Sequence, residues 1–316
     1  MSTRRHVFGT IVLVTLGLLV SPGRAYADDI HVMTSGAFTA ALLELALAFE
    51  RATGHRIVVG ATTSTGPDSV QNRIRRGEPV DVIIMADASL HAFIRDGRVV
   101  AASRVEVARS AIGMAVRAGA PRPDVSTVEA FTRALLEAKS IAYSASVSGT
   151  YLATELVQRL GIAGDVLPKS RRIEGERVGA VVARGDAEIG FQQISELLPV
   201  PGITVLGPLP ASLQRVTVFA AGVAVDASAP EAARALISYF VSPAAADPIR
   251  RSGMEPMTLA TPAPARRRVP RTTRRAAASR RSCRRRPDWS TSRGARWCPR
   301  TALRRAVPGG QGRACP

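Results

Sequence analysis

Cysteine is missing from the whole stretch that reads as folded. The chain has three, Cys283, Cys298 and Cys315, and all lie in an arginine-rich end. The body therefore offers no thiol nucleophile and no zinc–thiolate cluster, and it must hold together by core size alone. Histidine is nearly as scarce. His6, His31, His55 and His91 stand singly, without the spacing of metal ligands. No G-x-S-x-G elbow occurs, so a serine hydrolase built on Ser148 lacks its usual signature. Acids such as Asp81 and Asp87 suit helix caps or arginine partners better than a catalytic dyad. The expectation is a protein that is not an enzyme, with no catalytic residue, no metal and no cofactor.

Charge is abundant but unevenly placed. The formal net charge is +18, yet residues 260–316 hold 17 arginines, no lysine and a single acid, Asp288. The rest of the chain is close to neutral, so the basic balance belongs to one end and no nucleic-acid partner is expected. From 259 onward apolar periodicity stops and Arg, Pro, Ala, Ser and Thr dominate. Such a composition cannot offset its chain entropy by burial, and residues 259–316 are expected to be a disordered tail. A polyanion-binding arm, an extension of other use and an out-of-frame stretch of a GC-rich gene all remain open for it.

The N-terminus carries Arg4 and Arg5, an apolar run over 7–20 and the small-x-small site Ala25-Tyr26-Ala27. The run is short of the roughly 20 residues a membrane span needs. Residues 1–27 are therefore expected to be a secretory signal peptide cleaved after Ala27, by the general export route, with the mature protein in the periplasm.

Between these ends the pattern is strand, small polar loop, helix, repeated. Strands are expected over 30–33, 56–60 and 80–85, with helices over 38–53, from Pro67 to about Gly77, and from Ser89 to Gly97. Leu42, Leu45, Ala46 and Phe49 recur at helical spacing, and Gly54 stops the first helix. The pattern restarts with strands over 111–117, 141–143, 188–191 and 216–225. Capping boxes at Ser126/Glu129 and Ser228/Glu231 precede helices. Alternation of this kind predicts an α/β fold of two lobes, each a mainly parallel sheet flanked by helices. Lobe 1 is expected over 28–108 plus about 226–258, and lobe 2 over 109–225. The chain should cross between them near 105–112 and 205–228.

Three loops share one design. Ser35-Gly36, Ser64-Thr65-Gly66 and Ser148-Gly149-Thr150 each follow a strand and open a helix. Ligands bind at the carboxyl ends of strands in open sheets. A helix start there presents free N–H groups, small residues let a ligand approach, and hydroxyls add donors. Ser35, Gly36, Ser64, Thr65, Ser148, Gly149 and Thr150 are the candidate ligand residues. Tyr151 and Gln192 join them, Tyr151 either bonding ligand or packing its ring, and Gln192 either lining the cleft or lying in an exposed turn.

Over roughly 28–258 the sequence resembles the periplasmic molybdate-binding proteins of ABC importers, within the type II periplasmic binding fold. The resemblance rests on the helix Thr39-Ala40-Ala41-Leu42-Leu43-Glu44-Leu45-Ala46 running to Gly54, and on Gly77-Glu78-Pro79-Val80-Asp81-Val82 leading to Ala86-Asp87. It rests further on Gly185-Asp186-Ala187-Glu188-Ile189-Gly190 and Ser252-Gly253-Met254-Glu255-Pro256. It implies a ligand cleft between lobes, a small anionic solute, delivery to a membrane permease, and a monomer. The ligand loops depart from the family. In the first loop Ala37 stands where a serine is usual, with Ser35 two residues earlier; the second loop is about two residues longer than usual, which leaves Ser64, Thr65 or Ser69 to replace its hydroxyl. Phe191 followed by Gln192-Gln193 replaces the usual tyrosine. A molybdate-like oxyanion is the expected ligand, with a small carboxylate or polar organic solute as the alternative.

Overall fold

The computed structural model describes residues 27–257. The expected signal segment, apart from Ala27, and the arginine-rich tail from residue 258 onward lie outside the described residues. The first part of the chain alternates as expected: β1 (Asp29–Thr34), α1 (Gly36–Thr53), β2 (Arg56–Ala61), α2 (Val70–Arg75), β3 (Val82–Ala86), α3 (Asp87–Arg95) and β4 (Val105–Ser110). A single residue, Ala111, separates β4 from β5 (Ile112–Arg117). Then follow α4 (Val128–Glu137), β6 (Ile141–Ser144), α5 (Val147–Tyr151), α6 (Val157–Arg159), α7 (Ala163–Val166), β7 (Ser170–Ile173), α8 (Val178–Arg184), β8 (Ile189–Gln193), α9 (Ile194–Leu197) and β9 (Ile203–Pro208). The chain closes with β10 (Thr217–Val223), α10 (Pro230–Phe240), α11 (Ala246–Arg251) and β11 (Glu255–Pro256).

Two sheets result. The first has the order β11-β4-β10-β3-β1-β2 and the second β7-β6-β8-β5-β9. β1 runs parallel to β2 and β3, and β6 parallel to β7 and β8. The strands next to the crossings run antiparallel: β10 against β3 and β4, and β5 against β8 and β9. The fold is thus the two-lobed α/β type expected, with more antiparallel pairing than a string of strand–helix units implies.

One expectation is corrected. The sequence pattern places residues 109–225 in the second lobe, but β10 is hydrogen-bonded between β3 and β4 and so completes the first sheet. The apolar run 216–225 announces a buried strand, and burial alone does not say which sheet it enters. The return crossing therefore lies over 209–216. The two crossings are tied side by side: Ile112 N donates to Gln214 Oε1 at 2.9 Å, and Gln214 Nε2 donates to the Ile112 carbonyl at 2.9 Å.

Each sheet is covered on both faces. In β3, Val82, Ile84 and Ala86 face α1 and α10, while Ile83 and Met85 face Val70 and Leu90 on the opposite side. This period of two explains why the strand is apolar throughout. α1 buries Phe38, Leu42, Leu45 and Phe49, and Phe38 meets Phe240 of α10 edge-on at 5.3 Å. In the second sheet Met114 and Phe191 pack with Phe131 and Leu135 of α4, while Ala142 faces Val178, Val181 and Val182 of α8.

Candidate functional site

The strand ends of both sheets converge on one cleft. β1 ends at Thr34 and Ser35 occupies the cap position of α1, pinned by its N–H donating to the Ile84 carbonyl at 2.8 Å. Its hydroxyl does not cap the helix. Ser35 Oγ is buried and has no hydrogen-bond partner among the described residues. A buried polar atom without a partner is costly, which makes it a marker of function in a well-packed protein. Opposite, Ser144 Oγ donates to Ser146 Oγ at 2.9 Å and accepts from Ser146 N at 3.1 Å, shaping the start of α5.

A cavity of about 210 Å³ lies between these loops. The first lobe contributes Ser35, Gly36, Ser64, Thr65, Gln71 and Ser89, and Met85 and Phe219 form apolar wall. The second contributes Ala145, Ser146, Val147, Thr150, Gln193 and Glu196. A smaller cavity of about 160 Å³ adjoins it, adding Glu176, Arg177 and Gln192 and sharing Gly36, Ser64, Thr65, Ser146 and Glu196. The lobes touch at the rim, where Gly175 N donates to Thr65 Oγ1 at 3.2 Å.

Glu196 stands between the two cavities. It is only 8% exposed. Burial pushes its carboxyl up to about 7, against the opposing pull of Arg177 and of its hydrogen bond from Gln192. That bond runs from Gln192 Nε2 to Glu196 Oε1 at 3.0 Å, and Gln192 Oε1 accepts from Val178 N at 2.9 Å. The carboxyl lies against the first turn of α1: a Cβ on Gly36 would come within 2.1 Å of Glu196 Oε1. No group of three or more potential metal ligands occurs among the described residues.

Of the residues expected from sequence, Ser35, Gly36, Ser64, Thr65 and Thr150 line the larger cavity, and Gln192 lines the smaller one. Three do not reach either. α5 starts at Val147, earlier than the Ser-Gly-Thr motif suggests, so Ser148 and Gly149 turn inward within its first turn. A Cβ on Gly149 would lie 1.8 Å from the Ser144 carbonyl, so that glycine serves the close approach of helix to strand. Tyr151 takes the packing role. Its ring is buried beneath Arg215, and its hydroxyl donates to the Leu213 carbonyl at 2.7 Å.

Sequence reasoning missed Glu196, Arg177, Ser146, Gln71, Ser89 and Gln193. The helix expected from Ser89 begins instead at Asp87, which places Ser89 in its first turn with its side chain lining the cavity. Glu196 had one available signal, its place in the first turn after a strand that ends at the cleft.

Comparison with known proteins bears on both fold and chemistry. The family described as bacterial extracellular solute-binding protein matches residues 30–255. The chain is 41% identical over 251 residues to an aconitate isomerase from Pseudomonas sp, covering 79% of this chain and 95% of the relative. It is 27% identical over 254 residues to the molybdate-binding protein ModA of Azotobacter vinelandii, covering 77% of this chain and 96% of that protein. The solved periplasmic molybdate-binding protein from Azotobacter vinelandii superposes with a TM-score of 0.59 at 23% identity, covering 71% of this chain and 98% of that one. The expectation that the protein is not an enzyme is therefore overturned, since a relative of nearly full coverage is an isomerase. The physical reason is that the two-lobed cleft holds a solute equally well for transport or for chemistry, and missing Cys, His and Ser motifs exclude only the mechanisms that use them. The match over most of its length shows that the chain belongs to the bacterial extracellular solute-binding protein family.

Proposed function

We propose that the protein captures a small polycarboxylate in the cleft between its sheets and interconverts the isomers of aconitate. The observation that carries this reading is the pairing of anion donors with one buried acid in a single small cavity. Ser35 Oγ, the start of the 18-residue α1 and the hydroxyls of Ser64, Thr65 and Thr150 suit one carboxylate. Arg177, which forms no ion pair with a described residue, lines the adjoining space and suits another. A cavity of about 210 Å³ is below the ~300–1,000 Å³ of drug-sized sites and fits a small organic acid. The 41% identity to an aconitate isomerase supports the same assignment.

A second reading, a molybdate-like oxyanion bound for delivery to a membrane permease, draws support from the similarity to ModA. Glu196 weighs against it. An oxyanion without C–H bonds gives this acid nothing to do. Calorimetric titration with cis-aconitate, trans-aconitate, molybdate and sulfate, together with proton NMR of a cis-aconitate solution, separates the two. Aconitate binding with appearance of the trans isomer is expected. Molybdate binding without aconitate binding or turnover would overturn the isomerase reading.

A further inference from the structure

We infer that Glu196 is the acid–base residue of this site, taking a proton from the methylene carbon of bound aconitate and returning it at the other end of the three-carbon frame. The inference rests on the isomerase reading above. In both aconitate isomers a methylene and a vinylic CH flank a central carbon, and each of the three carbons bears a carboxylate. Removing one methylene proton leaves an electron pair delocalised over the frame and onto the carboxylates. Returning the proton to the former vinylic carbon puts the double bond on the opposite side. One C–H bond breaks and one forms, nothing is oxidised, and no water is consumed. A single carboxyl group suffices, first as base and then as acid.

Three observations converge on Glu196. First, the titratable or charged side chains lining the two cavities are Glu196, Glu176 and Arg177. Arginine keeps its proton, and Glu176 is engaged by Arg184 at 2.9 Å near the surface. Second, the acid is oriented. Gln192 acts as a positioning residue, holding Glu196 Oε1 while taking the Val178 N–H on its own carbonyl oxygen. Glu196 Oε2 makes no hydrogen bond with a described residue, so one oxygen is fixed and the other is free to exchange a proton. Third, Gly36 leaves room for the carboxyl at the start of α1, beside the donors suited to a substrate carboxylate. Burial brings the group to about 7, where it can both accept and give a proton in neutral solution.

Glu196→Gln provides the test, since it keeps the shape and can still accept the Gln192 bond. Calorimetric binding of cis-aconitate is expected to stay within about threefold of wild type. Conversion to the trans isomer is expected to fall at least 100-fold, at the lower end of the roughly 10²–10⁴ range for general acid–base groups. Glu196→Asp is expected to restore part of the conversion, with the rise of kcat/KM against pH displaced from the wild-type rise near 7. Arg177 and Glu176 are the charged groups facing this carboxyl, and both are unchanged in these variants. If Glu196→Gln fails to fold by circular dichroism, Gly36→Ala takes its place. Its new methyl displaces the carboxyl and is expected to cut kcat more than tenfold. Undiminished conversion by Glu196→Gln would overturn the assignment and leave the isomerase reading standing. Loss of binding together with conversion, in a folded variant, would overturn it in favour of a gripping role. Absence of conversion by the wild type would overturn the isomerase reading itself.

Discussion

At the scale of single residues, Glu196 shows what a buried acid costs a fold. Its carboxyl is pushed up from 4.5 to about 7, chiefly by burial. For an acid with a raised folded pKa, ionisation opposes folding. The favourable state is complete below about pH 4.5 and is lost as pH rises through 7. The gap amounts to roughly 3 kcal/mol of instability at pH 8, at ~1.36 kcal/mol per pKa unit. Glu196→Gln is therefore expected to raise the melting temperature at pH 8 by the equivalent of up to roughly 3 kcal/mol and to change little at pH 4.5. Melts at the two pH values check this, and an equal gain at both would refute the ionisation argument. An acid that weakens the folded state is one that selection for stability alone would remove.

Among elements, the decisive contact is made by a residue outside any helix or strand. Asp81, fully buried just before β3, accepts from the N–H of His31 at 2.7 Å, of Ser228 at 2.6 Å and of Ala229 at 3.0 Å, and from Ser228 Oγ at 3.0 Å. It joins β1 to the start of α10, reaching 50 positions back to His31 and 147 positions on to Ser228. Burial by itself would push this carboxyl up, but the donors from His31, Ala229 and Ser228 outweigh it and hold it low. The sign is therefore opposite to that of Glu196: the stability is present above pH ~4 and is lost as pH falls through the depressed pKa. Asp81→Asn leaves N–H donors facing an amide and is expected to cost about 3 kcal/mol at pH 7. Urea unfolding at pH 7 and pH 3 should show the difference shrinking at the lower pH. The sequence suggests a capping box at Ser228/Glu231 here; the structure shows Ser228 donating to Asp81 instead. At α4 the cap likewise moves from Ser126 to Thr127, whose Oγ1 accepts from Ala130 N at 3.1 Å, while Ser126 N donates to Asp124 Oδ1 at 2.9 Å.

For the molecule as a whole, the two lobes meet where Gly66 faces Gly175. Gly66 sits at φ +80°, and a Cβ there would come within 2.8 Å of the Gly175 Cα. Backbone meets backbone, so no side chain can yield. Gly66→Ala is expected to hold the rims apart, weakening cis-aconitate binding by more than about tenfold, or roughly 1.4 kcal/mol. The loss of unfolding stability should be only about 1 kcal/mol, from the left-handed backbone. Calorimetric titration with cis-aconitate reads the outcome: a variant that binds within about threefold of the wild type would refute this role for the Gly66–Gly175 approach.

Much of the protein was legible along the chain. The strand–loop–helix alternation and the two lobes follow from local periodicity, which local rules govern, and the family from the resemblance of short motifs. Ser35 and Gly36 could be named because a helix start at a strand end is itself a local feature; Ser64 and Thr65 reach the cavity from the loop after β2, since α2 starts only at Val70, later than Pro67 suggests. The sheet that receives β10, the inward turn of Ser148 and Gly149, and the packing of Tyr151 depend on residues far away in sequence. So does Glu196: nothing in its neighbours marks it as an acid held near 7. Its bond from Gln192 is local, four residues away, but its burial comes from α1, which reaches it only once the lobes are assembled. The sequence by itself determined a two-lobed solute-binding fold; only the tertiary structure put an ionisable carboxyl in one cavity with Ser35, Gly36 and Thr65, because desolvation is a property of the whole assembly.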